Sequence, residues 1–320
     1  MRKTYYLVEV HRSVEPSVKG PFMEEKGRDD AAKRSTFDKC LSFKGLKEVT
    51  MKKEINGIKI NYELSGQGPC LVLIHGFSDN QTMWYNQVPE FSKSYQVLTY
   101  DVRGHGQTEV TKDEHSIDLF ADDLKGLLES LNIPKACVLG YSMGGRIGLA
   151  FAMKYPEQTT GLIFANSGVI GPDVQPTPEQ IQEMMARRQE MLNQIETGNI
   201  EAIADMMAER SLSPGFRDKD PEVFQKYKDI KMQNNPAAYK AIMEGMMVAM
   251  ANPPDLGELQ CPALIIAGEQ DGFMALDVAY YMEKAIKESS LAIFPTGHAS
   301  AIEVPNEFNR VVLDFLKKIY

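Results

Sequence analysis

Six short apolar runs limit most strongly what this chain can fold into. Residues 71–74, 96–100, 136–139, 161–165, 263–267 and 291–294 are each too short for a stable helix, and several are apolar throughout. Such runs fit strands buried on both faces. Between them, segments 116–131, 146–154, 276–287 and 307–319 carry helical spacing; in the first it runs through Ile117, Phe120, Leu124, Leu127, Leu128 and Leu131. Strands alternating with helices predict an α/β fold, a mostly parallel central sheet flanked by helices. Ahead of the runs, Ile55, Asn56-Gly57 and the alternating Ile58, Ile60 and Tyr62 predict a hairpin.

One stretch breaks the alternation. Residues 172–257 show helical patterning only, punctuated by prolines, and hold ten of the 18 methionines. A helical insertion between two strands of a parallel sheet predicts a cap over the C-terminal strand edge, where open α/β sheets bind ligands. The expected organisation is an N-terminal extension at 1–50, a core at 51–171, the cap at 172–257 and the rest of the core at 258–320. The extension mixes charges without sustained period and is expected to be poorly ordered. Lys47-Glu48-Val49 can be encoded as AAG-GAG-GTG, resembling a bacterial ribosome-binding site. That sets a translation start at Met51 against a genuine flexible tail.

Charge and cysteine usage narrow the partners. Net charge is -9 over 320 residues, and residues 51–320 alone hold -12. A body this acidic repels a phosphate backbone, so nucleic acid is not an expected partner. No run reaches the roughly 18 apolar residues of a membrane span, and the N-terminus does not read as a secretory signal. A cytoplasmic address is the expectation. Cys40, Cys70, Cys137 and Cys261 are far apart and the five histidines are scattered. Buried reduced thiols are expected, and no metal site.

The chemistry concentrates at the ends of the predicted strands. Gly140-Tyr141-Ser142-Met143-Gly144-Gly145 lies between a strand and a helix, a turn that strains and exposes a serine hydroxyl. A serine needs a base, and the base needs an orienting carboxylate. The last two strands end in Gly268-Glu269-Gln270-Asp271-Gly272 and Pro295-Thr296-Gly297-His298. Ser142, Asp271 and His298 are therefore the expected catalytic residues. Glu269 is the rival acid and Asp173 a weaker one.

Together with His75-Gly76-Phe77 and Asp101-x-Arg103-Gly104-His105-Gly106, these motifs resemble the α/β-hydrolase superfamily, over roughly residues 51–320. Within it the chain is similar to small bacterial carboxylesterases, enol-lactonases and perhydrolase-type serine hydrolases. The resemblance implies an oxyanion hole formed by the backbone N–H groups of Phe77 and Met143, and no cofactor. It gives His75 and the 101–106 segment a structural role. A serine rather than an aspartate at 142 separates the chain from epoxide hydrolases and haloalkane dehalogenases of this fold.

The expected reaction is hydrolysis of a carboxylic ester, lactone or thioester through an acyl-enzyme. The expected partner is a small-to-medium, largely apolar acyl substrate, and the sequence leaves the oligomeric state open. Met246 and Met247 are candidate pocket residues, with Met184, Met185, Met206, Met207, Met243 and Met250 as further cap methionines. Trp84 and Tyr141, with Phe77, are the candidates on the core side. Arg146 is expected to face outward on its helix. Two other classes stay open: a slow or non-catalytic small-molecule receptor, and carbon–carbon bond hydrolysis or perhydrolysis.

Overall fold

The computed structural model describes residues 4–7, 51–111, 115–171, 174 and 177–320. Asp173, Cys40 and most of the 1–50 extension lie outside the described residues. The predicted hairpin is present. Strands β2 (Met51–Ile55) and β3 (Ile58–Ser65) pair antiparallel around Asn56 and Gly57, whose φ angles of 47° and 79° favour these residue types.

The apolar runs become β4 (Cys70–Ile74), β5 (Gln96–Tyr100), β6 (Ala136–Tyr141), β7 (Thr159–Ala165), β8 (Ala263–Gly268) and β9 (Ser289–Phe294). A further strand, β1 (Thr4–Leu7), runs parallel to β9 at the sheet edge. No element was expected there, because four residues are too few to show a period. The order β1-β9-β8-β7-β6-β4-β5-β3-β2 is parallel from β1 to β5 and antiparallel at β3 and β2.

Alternation along each strand feeds two cores. Val72, Ile74 and Val138 belong to one buried cluster, and Leu71, Leu73, Cys137 and Leu139 to the other. Helix α1 (Ile117–Ser130) buries Phe120, Leu124, Leu127 and Leu128 in the first cluster. It packs beside α2 (Met143–Lys154), the helix that follows Ser142.

The insertion between β7 and β8 contains α3 (Pro178–Thr197), α4 (Ile200–Ser211), α5 (Pro221–Met232) and α6 (Tyr239–Ala251). Thr177 and Gln180 form a reciprocal capping box at the start of α3, and prolines begin α3 and α5. These helices contact loops at the C-terminal strand ends. Asn80 Nδ2 donates to Ile230 O at 2.8 Å, and Gly106 N–H to Asn234 Oδ1 at 2.7 Å.

The core closes with α7 (Leu276–Ala285) and α8 (Pro305–Ile319). Phe308, Val311, Val312, Phe315 and Leu316 form one buried stripe of α8. Cys70, Cys137 and Cys261 are buried free thiols whose pKa values burial raises. Among the described residues, no helix is long and apolar enough to cross a membrane.

Candidate active site

Ser142 caps α2 with φ 51° and ψ -115°, a backbone conformation that costs energy for a non-glycine residue. Surrounding contacts hold it: Ser142 N–H donates to Ala165 O at 3.0 Å, and Ser167 Oγ to Ser142 O at 2.5 Å. The turn leaves no room for side chains beside it. A Cβ at Gly140 would lie 2.1 Å from Gly144 O, and one at Gly144 would lie 2.3 Å from Ile74 O.

Three expected residues meet although they are far apart in sequence. Ser142 Oγ lies 2.8 Å from His298 Nε2, and His298 Nδ1 lies 2.8 and 2.9 Å from the Asp271 oxygens. With Asp271 ionised, Nδ1–H donates to the carboxylate and Nε2 accepts from the serine hydroxyl. Asp271 Oδ1 also accepts from Phe273 N–H and Met274 N–H at 2.8 and 3.0 Å. Burial alone would raise the Asp271 pKa, but the His298 charge and these hydrogen bonds outweigh it and hold the carboxyl below its usual value.

Glu269 is exposed, while Asp271 occupies the histidine-facing position. Met143 directly follows Ser142 as the first residue of α2, and Phe77 lies in the loop after β4. Neither backbone N–H donates to a protein acceptor among the described residues. The Phe77 ring packs 4.7 Å from Tyr239 of the cap helix α6.

His75 and the 101–106 segment are engaged away from the serine. Burial pushes the His75 pKa down to about 4; its Nδ1–H donates to Gly76 O at 2.8 Å, and Nε2 accepts from Val102 N–H at 2.9 Å. Asp101 accepts from Gln81 N–H and Gln107 N–H, both at 2.8 Å. Arg103 makes a bidentate pair with Asp123 at 2.8 and 2.9 Å.

The pocket candidates separate. The Tyr141 ring lies 5.2 Å from the His298 ring, and its hydroxyl is 3.4 Å from Tyr227 of α5. Trp84 is fully buried in the same core cluster as Met83 and Phe91. Met246 is partly buried against the core, whereas Met247 is 50% exposed. Met184 and Met185 are also exposed, so these cap methionines do not form one enclosed chamber. Arg146 is half-buried rather than turned freely to solvent.

Several site neighbours carried no sequence signal. Asp79 pairs with Lys231 of α5 at 2.6 Å, each side chain only 1% exposed. Burial raises the Asp79 pKa and lowers that of Lys231. Asn166, at φ 46°, points Nδ2 to Asp271 Oδ2 at 3.4 Å and Gly297 O at 3.3 Å. Glu303 accepts from Gly297 N–H at 2.8 Å and from Ser213 N–H at 3.0 Å, tying the histidine loop to the cap. Among the described residues, no three His, Cys, Asp or Glu side chains group to hold a metal ion.

Residues 69–305 match the family of the alpha/beta hydrolase fold, and the chain belongs to it. Within that class, the chain is 31% identical over 264 residues to 3-oxoadipate enol-lactonase 2 of Acinetobacter baylyi, covering 82% of this chain and 94% of that one. Among solved structures, the enol-lactonase from Burkholderia xenovorans LB400 aligns with TM-score 0.74 and 26% identity, over 83% of this chain and all of that one. A thermophilic esterase from Thermogutta terrifontis aligns with TM-score 0.74 and 27% identity, over 84% of this chain and 99% of that one.

Proposed function

We propose that this protein is a serine hydrolase that cleaves a carboxylic ester, lactone or thioester of a small-to-medium, largely apolar substrate. The observation carrying this reading is the continuous hydrogen-bonded path from Ser142 Oγ through His298 to Asp271, at 2.8 Å in each step. The similarity to enol-lactonases and an esterase agrees with it.

In the proposed mechanism His298 Nε2 takes the Ser142 proton as Oγ attacks the substrate carbonyl. Asp271 holds the Nδ1–H tautomer and stabilises the imidazolium that forms. The N–H groups of Phe77 and Met143 bind the oxyanion of the tetrahedral intermediate. A fixed donor of this kind contributes about 3 kcal/mol to transition-state stabilisation. His298 then protonates the leaving oxygen or sulfur, and the acyl group remains on Ser142. Water, deprotonated by His298, attacks that ester, and collapse returns the free serine and a carboxylic acid. None of these steps calls for a cofactor.

Turnover of a graded series of 4-nitrophenyl acyl esters by wild type and Ser142→Ala tests the reading. Ser142→Ala should lower kcat by several orders of magnitude, with thermal stability close to wild type. A variant retaining more than about a tenth of the wild-type rate would remove Ser142 as the nucleophile. Binding without turnover in wild type would instead indicate a receptor.

A further inference from the structure

Arg146 lies one helical turn beyond Ser142, on α2, and lines a groove of about 580 Å³ between α1, α2 and the cap helix α6. Ser142, Phe77 and His298 do not line it. Its apolar walls include Leu149, Met153, Val169, Val248 and Ala249. Gly245 lets α6 approach closely, since a Cβ there would lie 1.7 Å from His115 O.

The guanidinium has no ion-pair or hydrogen-bond partner among the described residues. Burial lowers its pKa. The other charged groups at the groove are differently engaged. Lys154 pairs with Asp122 at 2.6 Å, and Asp118 is an exposed rim residue that makes no pair with Arg146. The guanidinium keeps contact with solvent at the groove, and its N–H donors are open to an anion there.

We propose that this groove is a binding site, separate from the Ser142 centre, for a monocarboxylate with an apolar body. The planar guanidinium matches a carboxylate through two parallel N–H···O bonds. The apolar walls accept an alkyl or aryl tail, and the Asp118 charge on the rim disfavours a dianion. A ligand seated here bridges α2 and α6, so binding raises the melting temperature. This site does not depend on Ser142 being a nucleophile.

Calorimetric titration of the full chain with octanoate at pH 7.5 tests the proposal, with 1-octanol as the uncharged control. Wild type should bind one octanoate per chain. Arg146→Gln should weaken binding at least tenfold, whereas Arg146→Lys, which keeps the charge but loses the two-point contact, should fall between Arg146→Gln and wild type. Ala249→Phe, which fills the groove, should abolish binding, and octanol affinity should be indifferent to Arg146→Gln. Melting curves without ligand identify any variant that fails to fold. Absence of octanoate binding overturns the proposal. So does an affinity unchanged by both Arg146→Gln and Ala249→Phe, which would place the acid elsewhere.

Discussion

The Lys231 ammonium sits 2.6 Å from the Asp79 carboxylate, joining cap helix α5 to the loop two residues after Phe77. Tyr227 OH adds a 3.4 Å contact to Asp79, and Asn234 Nδ2 donates to Ser78 O at 3.1 Å. The cap thereby fixes the backbone proposed to bind the oxyanion. Lys231→Met leaves Asp79 buried without its cation and should cost about 3–5 kcal/mol. The Asp79→Asn, Lys231→Met double variant should be less destabilised than the two single losses together, because neither charge remains. Urea unfolding of all four proteins measures the coupling. Additive effects would show that the pair is not a stabilising unit.

Asp271→Asn should reduce kcat by orders of magnitude, because the amide can leave His298 in the wrong tautomer. Glu269→Gln should stay near wild type, since Glu269 is exposed. Steady-state kinetics on one ester decides between them. A severe Glu269 defect with a mild Asp271 defect would transfer the acid role to Glu269.

The buried His75 gives a pH signature. Its pKa falls from 6.5 to about 4 on folding, so the fold favours the neutral ring. This stabilisation is fully present above the unfolded pKa of about 6.5 and is lost as pH falls towards 4, amounting to about 3 kcal/mol. His105, lowered in the same direction by burial and by His75, adds to the slope. His75→Asn should be less stable at pH 7.5, yet lose less between pH 7.5 and 4.5 than wild type. Equal losses in denaturant unfolding would contradict a buried neutral imidazole.

The cap should govern which substrate reacts. Met246 is partly buried and Met247 half exposed, so Met246→Ala should account for most of a change seen in the paired variant. Relative kcat/KM across an acyl-length series should shift towards bulkier chains, with each methylene worth about 1–3 kcal/mol. An unchanged length profile would place both methionines outside the substrate pocket.

The sheet was legible because a strand buried on both faces leaves an uninterrupted apolar run, as β4, β6 and β8 do. The Ser142, Asp271 and His298 positions were legible because each follows such a run. The contacts supporting them were not. Asp79 and Lys231 lie 152 residues apart, one in a polar loop and one in an ordinary amphipathic helix. Asn166 sits at the end of β7 in a conformation that sequence patterning does not display. The cap methionines read as one group by composition, yet folding buries Met191 and Met207 and exposes Met184, Met185 and Met247.

Covalent catalysis at Ser142 leaves an acyl group on the serine between two chemical steps, and trapping that intermediate tests it. The enzyme should be mixed with a 4-nitrophenyl ester, quenched in acid within the first turnover and digested for peptide mass mapping. One acyl group per chain is expected, on the peptide containing Ser142, and none on Ser142→Ala. An acyl group on another residue, or turnover without any acylated peptide, would contradict it.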